Sequence, residues 1–399
     1  MQGIKVHFLG IKIQQHPLFE PNSEFLLIND QRINKENTDQ LTNLDKGLWI
    51  NNLVAITGKN ATGKTSLMKL LNGIQNLLFF KTQISQTSLN DVLFGEKPII
   101  ISAFIYGEDK ILYQDQLTFN MLDGKLAVTA EEIKAHKLTE RMSKKRMLDF
   151  SKAKIITSRK NISGLVESLL SNEDSIFRVI IAEKNYRPQP TMSSLFFTNF
   201  NFLQFFEEKI PSELLTFLDS SIEYLKQDII ETDGKKRKVI FRLKFKNSPE
   251  IVEDNFNVIA HYLSSGTAKG ITLYGMVIKT LQTGGILYID ELENHFNHTI
   301  VRSFIEYFAN PKINRNRAVL VFSTHYSELI DDLDRGDAIY ITRRDKNINL
   351  MRYSQADVRP DLLRSEVIDS NSIDGTMPEY SLYLALRKEI QRIVGAYGN

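Results

Sequence analysis

No cysteine occurs in this chain, which excludes disulfides, thiolate zinc sites and cysteine nucleophiles. No apolar run approaches the roughly 20 residues that a bilayer crossing needs, and the first residues lack the layout of a cleavable signal. The formal net charge of +2 is small, so any affinity for nucleic acid would have to come from local patches. From these absences we expect a cytoplasmic protein that works without a membrane.

The composition is that of an ordinary globular protein, with 42% hydrophobic and 25% charged residues in 399 positions. This length allows one large or two ordinary domains. Apolar and polar residues alternate over residues 4–8 and in part over 111–119, residues 99–106 are apolar apart from Ser102, and the gap between the last two segments is short. Alternation predicts half-buried strands, and the short gap predicts a hairpin. We therefore expect an antiparallel sheet in the N-terminal part.

Residues 58–65 read GKNATGKT and fit the phosphate-loop pattern in full. The apolar run 53–56 precedes them and the helical pattern 66–71 follows them, which is the strand–loop–helix context that this motif requires. The glycines let backbone N–H groups face phosphates, Lys64 would reach the β- and γ-phosphates of ATP, and the Thr65 hydroxyl would bind Mg²⁺. The alternative is a chance glycine turn. The predicted ATP-binding residues are Gly58, Lys59, Asn60, Ala61, Thr62, Gly63, Lys64, Thr65 and Ser66.

Two acids, Asp290 and Glu291, follow the apolar run 286–289. A short continuous apolar run is typical of a parallel strand covered on both faces, and open α/β sheets bind their ligands at the ends of such strands. Asp290 would help hold hydrated Mg²⁺, and Glu291 would orient or deprotonate the attacking water. The alternative is that both acids only cap the following helix.

Two further segments match this arrangement. His325 follows the apolar run 319–322, where the end of a strand would bring it to a γ-phosphate, although a lone histidine is more often structural. Residues 263–267 read LSSGT and precede a predicted helix over about 268–281. Alone, LSSGT is an ordinary helix cap; beside a phosphate loop it predicts a second anion-binding helix start, which a second subunit would supply.

These four ordered motifs resemble the ABC-type ATPases, and more closely their soluble SMC/RecF/OLD-like branch, including the AAA-15 and AAA-21 families of bacterial defence ATPases. Asn60 in the loop and Glu293-Asn294-His295 after the acid pair are typical of this branch. In that family two heads enclose two ATP molecules. The resemblance implies that Asp290 is the Walker B acid, Glu291 the catalytic base and His325 the switch histidine, and that Ser264, Ser265 and Gly266 act in trans on the ATP of a partner head.

The resemblance implies an α/β fold: an ABC-type P-loop NTPase head with an N-terminal antiparallel β-subdomain and an inserted helical lobe. We expect an N-terminal ATPase lobe over 1–130, a helical insertion over 131–235 and a C-terminal ATPase lobe over 236–399. Apolar residues at helical spacing over 212–230 support the insertion. The sequence departs from the family in its signature, which reads LSSGT instead of LSGGQ. It also offers only weak candidates, Gln114 and Gln116, for the Q-loop glutamine, and we expect any nuclease of the TOPRIM type to be another polypeptide.

We therefore expect a dimeric switch ATPase, a homodimer or higher even oligomer, that couples its ATP state to a separate effector (nuclease or toxin) or to DNA or RNA. The family analogy indicates anti-phage defence. The alternatives are a RecF/SMC-like DNA repair or maintenance ATPase, the ATP-binding subunit of a membrane transporter, and a scaffold in which ATP is only structural.

Two other features remain open. The basic cluster 141–160 and the group 235–238, with Arg242 and Lys244 beyond it, would neutralise nucleic-acid phosphates or would simply be solvated surface. The cations of the first cluster are Arg141, Lys144, Lys145, Arg146, Lys152, Lys154, Arg159 and Lys160. The aromatic run 196–206 is more typical of a core or a partner interface than of a base-stacking platform.

Overall fold

The computed structural model describes residues 3–33, 38–140, 142–162, 170–198, 203–204, 209–232, 236–294, 296, 298–359, 361–373, 375–376 and 380–396. The chain folds as two compact units, Met1–Gln189 with Val321–Asn399, and Pro190–Leu320. Among the described residues, no helix is both long enough and apolar enough for a membrane crossing.

The described strands follow one another along the chain as β1 (Ile4–Gln15), β2 (Ser23–Leu26), β3 (Leu41–Asp45), β4 (Leu48–Asn51), β5 (Leu53–Thr57), β6 (Ile99–Gly107), β7 (Ile111–Leu122), β8 (Lys125–Lys137), β9 (Lys154–Ser158), β10 (Tyr186–Pro188), β11 (Thr191–Ser193), β12 (Ile222–Thr232), β13 (Lys236–Phe245), β14 (Glu250–Glu253), β15 (Ile286–Ile289), β16 (Val319–Ser323), β17 (Ile339–Arg344) and β18 (Ile348–Arg352). The described α-helices are α1 (Lys64–Phe79), α2 (Lys144–Met147), α3 (Phe177–Glu183), α4 (Ser212–Leu218), α5 (Phe256–His261), α6 (Ser265–Thr283), α7 (His298–Ala309), α8 (Arg364–Asp369) and α9 (Tyr380–Ala396).

The first unit contains a large sheet in the order β10-β1-β6-β7-β8-β9, with β2 also paired to β1. The predicted hairpin is confirmed: β6 and β7 are antiparallel, in register from Ile99 opposite Phe119 to Gly107 opposite Ile111. Lys110 completes its turn in the left-handed region, at φ 68. The alternation at the start of β1 likewise belongs to a strand, which pairs antiparallel with β6 and in parallel with β10, so the N-terminal part contains an antiparallel sheet as predicted.

The same unit carries the strand that leads into the phosphate loop. β5 is buried along its whole length, as its continuous apolar sequence predicts. It pairs in parallel with β17, which pairs antiparallel with β18. Beyond the end of β16, the backbone N–H of Thr324 donates to the Ile56 carbonyl at 3.1 Å. The loops after β5 and β16 therefore emerge side by side.

The second unit combines an antiparallel sheet, β12-β13-β14, with a parallel pair, β11 and β15. Its core includes the fully buried side chains of Leu215, Leu225, Leu243 and Ile259, contributed by strands and by helices. The helix predicted over about 268–281 is confirmed and runs over Ser265–Thr283. The all-buried strand β15 is confirmed as well.

The structure corrects the prediction that residues 131–235 form a helical insertion. Residues 212–230, whose spacing predicted one helix, form the short helix α4 and then the strand β12. Strand β9 also lies inside this segment, and the end of β8 reaches into it. Strand β12 forms because it pairs with β13, from Ile222 opposite Phe245 to Thr232 opposite Lys236. The chain is thus mixed α/β with antiparallel sheets, but this segment is not a helical lobe.

Candidate functional site

The phosphate loop connects β5 to α1 in the first unit, as the sequence predicts. Gly58 and Gly63 both have positive φ, 142 and 93. A Cβ on Gly58 would collide with the Thr342 carbonyl oxygen, and one on Gly63 would collide with the Ile348 side chain. Glycine is therefore required at both positions by backbone conformation and by space.

Lys64, the first residue of α1, folds back over this loop. Its Nζ donates to the carbonyl oxygens of Gly58 at 2.8 Å and Lys59 at 2.9 Å. The residue is only 6% exposed. Because the start of α1 has no side-chain cap and α1 runs for 16 residues, its N-terminal backbone suits an anion. The loop therefore places the Lys64 ammonium next to the N-terminus of α1.

A threonine that sequence reasoning missed supports the loop from behind. The hydroxyls of Thr62 and Thr342 lie 2.7 Å apart, and Thr342 on β17 also donates to the Thr57 carbonyl at 3.1 Å. Thr62 donates in turn to the Lys59 carbonyl at 2.8 Å. A threonine inside a strand that reads IYITRR is a faint signal, since nothing local indicates which loop it contacts.

His325 lies beside Lys64 within the first unit. It follows β16 and is exposed, and its Nδ1 is 3.5 Å from Lys64 Nζ. Thr324 shapes this turn, because its hydroxyl accepts from the Tyr326 N–H at 3.0 Å. The structure therefore brings together two residues that are 261 positions apart in the sequence.

Thr65 is exposed at the start of α1, and Asn60 and Ala61 are exposed in the loop. In the described part of the chain, no group of three or more His, Asp or Glu side chains forms a metal cage. A cage is not required for Mg²⁺ bound with a nucleotide, since that ion usually takes one or two protein ligands together with phosphate oxygens. Hydroxyl and carboxylate oxygens, as on Thr65 and Asp290, are the hard ligands that it prefers.

The acid pair lies in the second unit, directly after β15. Asp290 is 4% exposed, and its N–H donates to the Ser194 hydroxyl at 3.3 Å. Glu291 is half-buried and has a left-handed backbone, with φ 49. A non-glycine residue in this region is strained, and such strain is concentrated at functional sites.

A lysine that sequence reasoning missed lies close to this pair. Lys269, on α6, is 2% exposed and donates to the Thr198 carbonyl at 3.1 Å. Burial lowers the pKa of its ammonium, while the carboxylates of Glu291 and Asp290 act in the opposite direction. The feature of the sequence that could have identified Lys269 is a charged residue within a predicted helix of mostly apolar residues.

The predicted signature begins α6. Ser264 is its N-cap, and the Ser264 side chain accepts from the Thr267 N–H at 3.1 Å. Ser264 and Ser265 are exposed and Gly266 is half-buried. The segment is thus a helix cap, which is the alternative that the sequence left open. It is also the accessible start of a 19-residue helix, which suits an anion.

The two candidates for the Q-loop glutamine belong to a strand. Gln114 and Gln116 both lie inside strand β7, paired with β6 and β8, and not in a loop. Gln114 Nε2 is 3.4 Å from the Ser102 hydroxyl.

The first basic cluster contains two half-buried cations that are bonded within the chain, and several exposed cations. Lys144 donates to the carbonyls of Asp30 at 3.1 Å and Gln31 at 3.3 Å, and Arg159 pairs with the buried Glu131 at 3.2 Å. The exposed members are Lys145, Arg146, Lys152, Lys154 and Lys160. Arg141 lies outside the described residues. Only the exposed members remain candidates for phosphate contacts.

The second basic group is largely balanced by acids. Lys238 pairs with Asp254 at 2.6 Å, and Arg242 pairs with Asp228 at 2.6 Å and Glu250 at 2.8 Å. Lys235 and the side chains of Lys236 and Arg237 lie outside the described part of the chain, and Lys244 Nζ donates to the Ser248 carbonyl at 2.5 Å. This hairpin is therefore closer to charged surface than to a nucleic-acid patch.

The aromatic run is described only in part. Phe197 is buried, as a core reading expects, whereas Phe196 is 59% exposed. Phe200, Phe202, Phe205 and Phe206 lie outside the described residues, as does His295 after the acid pair.

Comparison with known proteins identifies a family, and it identifies solved structures at low sequence identity. Two of these structures are of the recombination mediator protein RecF in the RecFOR pathway, as RecF-ATP and RecF-ATPrS, and their identities to this chain are 12% and 11%. Both have a TM-score of 0.37 over 88% of this chain and 98% and 100% of theirs. No curated protein matches.

The family match is more extensive. Residues 53–331 match the sequence model of the AAA-21 family, described as "AAA domain, putative AbiEii toxin, Type IV TA system". This stretch is well over half of the chain and contains all four motifs. The match confirms the resemblance that those motifs indicate: the chain belongs to the AAA-21 family.

Proposed function

We propose that this chain binds ATP at residues 58–65, hydrolyses it, and acts as a dimeric switch. The observation that carries the proposal is the position of Lys64, whose ammonium lies inside the loop on the carbonyls of Gly58 and Lys59. His325 is 3.5 Å from that ammonium. A nucleotide would replace these neutral carbonyl acceptors with charged phosphate oxygens, which form stronger hydrogen bonds.

In the proposed reaction, Lys64 and the loop N–H groups bind the β- and γ-phosphates. Thr65 and Asp290 would hold Mg²⁺, which when bound supplies positive charge next to the phosphates. Glu291 orients the attacking water and accepts its proton, and His325 contacts the γ-phosphate. Phosphoryl transfer depends mainly on positioning and charge neutralisation, and these residues provide both.

We propose further that two copies are needed, as a homodimer or a higher even oligomer. Ser264, Ser265 and Gly266 of one copy would contact the γ-phosphate bound by the other. Exposure of Ser264 and Ser265 at the start of a long helix supports this, because a helix start favours an anion.

The switch would act on a separate effector, a nuclease or toxin, or on DNA or RNA, in anti-phage defence. The family description supports this direction, since it names a putative toxin of a type IV toxin–antitoxin system. Exposed cations such as Lys145 and Arg146 would supply the nucleic-acid contacts.

The test is Glu291→Gln, compared with Glu306→Gln on the exposed face of α7. We expect phosphate release by Glu291→Gln to fall by about 100-fold to 10,000-fold, because the amide cannot accept the proton of water. The same variant should accumulate as an ATP-bound dimer on a sizing column. Unchanged phosphate release would remove Glu291 as the base, and a monomer in the presence of ATP would refute the two-head arrangement.

A further inference from the structure

Lys269 is a buried lysine in the second unit that the proposed reaction does not yet use. It lies in the second turn of α6 and is 2% exposed. A buried ammonium is unfavourable unless it has hydrogen-bond partners and opposite charge nearby. The contacts of Lys269 therefore indicate why a lysine occupies this position.

One carbonyl connects Lys269 to the acid pair. Lys269 Nζ donates to the Thr198 carbonyl at 3.1 Å, and Asn294 Nδ2 donates to the same oxygen at 3.0 Å. Asn294 Nδ2 is also 3.5 Å from Glu291 Oε2. The carboxylates of Glu291 and Asp290 supply the opposite charge, Glu291 with the larger effect.

The backbone of Glu291 needs such support. Its φ of 49 is unfavourable for a residue with a side chain. The Asn294 N–H donates to the Glu291 carbonyl at 2.8 Å, so Asn294 holds both the backbone and the side chain of Glu291. Lys269 donates to the Thr198 carbonyl, to which the Asn294 side chain also donates.

We propose that Lys269, together with Asn294, is a positioning residue that fixes the Glu291 carboxylate in the orientation needed to activate the attacking water. This inference rests on the proposed function of Glu291. Lys269 contacts neither water nor nucleotide in this scheme; it acts through Thr198 and Asn294 and through its charge.

The first test compares Lys269→Met, which keeps most of the length of the side chain and removes its charge, with Lys279→Met on the exposed face of the same helix. We expect kcat of Lys269→Met to fall by about tenfold to 100-fold, since a displacement of about 1 Å at a reacting group has an effect of this size. The Kd for ATP, measured with magnesium chelated, should not change. Lys279→Met should retain both values.

A double mutant separates positioning from a general structural effect. In a Glu291→Gln background, Lys269→Met should cause no further fall in the residual rate, because the group that it positions is already inactive. The same fold loss in both backgrounds would overturn the proposal.

Asn294→Ala provides a second route if Lys269→Met does not fold. Asn294 is only half-buried, so its loss leaves little unpaired polar surface, and we expect kcat to fall with the Kd for ATP unchanged. Lys269→Arg, which retains a cation and a donor, should recover part of the activity lost in Lys269→Met.

The outcomes distinguish this inference from the function on which it rests. If Glu291→Gln abolishes turnover while Lys269→Met or Asn294→Ala retains the kcat of the natural sequence, the positioning proposal alone fails. If the natural sequence does not hydrolyse ATP, or if Glu291→Gln does not slow it, the proposed function fails and this inference falls with it.

Discussion

Two helices of this protein begin in comparable ways and use a buried lysine differently. Helix α1 in the first unit starts after Gly63, without a side-chain cap, and its first residue is Lys64. Helix α6 in the second unit starts after Ser264, whose side chain caps Thr267, and carries Lys269 in its second turn. Both lysines are nearly inaccessible, at 6% and 2% exposure.

The difference lies in what each ammonium contacts. The Lys64 ammonium donates to the Gly58 and Lys59 carbonyls of its own loop, and phosphate oxygens would be stronger acceptors than these carbonyls. Lys269 has a carbonyl on one side and the charges of Glu291 and Asp290 nearby, so it is already compensated. An uncapped helix start with a lysine folded over its loop therefore suits phosphate binding, whereas a lysine that donates to a carbonyl close to the acid pair suits support of those acids.

The largest effect should come from Lys64→Ala. We expect the affinity for ATP to fall by about 100-fold, since charge-assisted hydrogen bonds contribute about 1.5–3 kcal/mol each and Lys64 would make several. Isothermal titration calorimetry with ATP would measure it. Lys69→Ala, on the same helix as Lys64, removes only a surface ion pair with Asp91 and is the matched control. Equal affinity in Lys64→Ala and Lys69→Ala would eliminate the contrast between the two helix starts.

An intermediate effect should come from Ser264→Ala. Loss of the N-cap should lower the free energy of unfolding by about 1 kcal/mol, and thermal or denaturant unfolding would measure this change. If the start of α6 binds phosphate in trans, the variant should also fail to form an ATP-dependent dimer on a sizing column.

Asn255→Ala is the control for Ser264→Ala. Asn255 caps α5 in the same unit by accepting from the Asn257 N–H at 3.0 Å. It should cost similar stability and leave the dimer intact. If Ser264→Ala dimerises as well as Asn255→Ala, Ser264 is a cap and nothing more.

The smallest effect concerns exposed cations that lie outside both helix starts. Lys145→Gln with Arg146→Gln should weaken binding to double-stranded DNA and reduce the slope of log K against log salt by about 0.9 for each phosphate that the pair neutralises. Arg387→Gln with Lys388→Gln, on the exposed helix α9, changes the net charge equally. Identical salt slopes for the two double variants would assign the cluster to solvated surface.

Prediction from sequence succeeded where the chemistry is contiguous. Residues 58–65 contain the whole loop, and the strand before it and the helix after it have clear patterns of their own. The hairpin of β6 and β7 is equally local, because its strands are adjacent in sequence. At residues 212–230, by contrast, local spacing predicted a helix, and the pairing of β12 with β13 decided for a strand.

The sequence by itself determined the family, the phosphate loop, the acid pair after a buried strand and the capped start of α6. Only the tertiary structure decided that Thr342 supports the loop, that Lys144 and Arg159 are half-buried and bonded within the chain, and that Lys269 lies beside the acids. The physical reason is separation along the chain. Lys269 and Thr198 are 71 residues apart, and Thr342 and Thr57 are 285 apart, so no local pattern records these contacts.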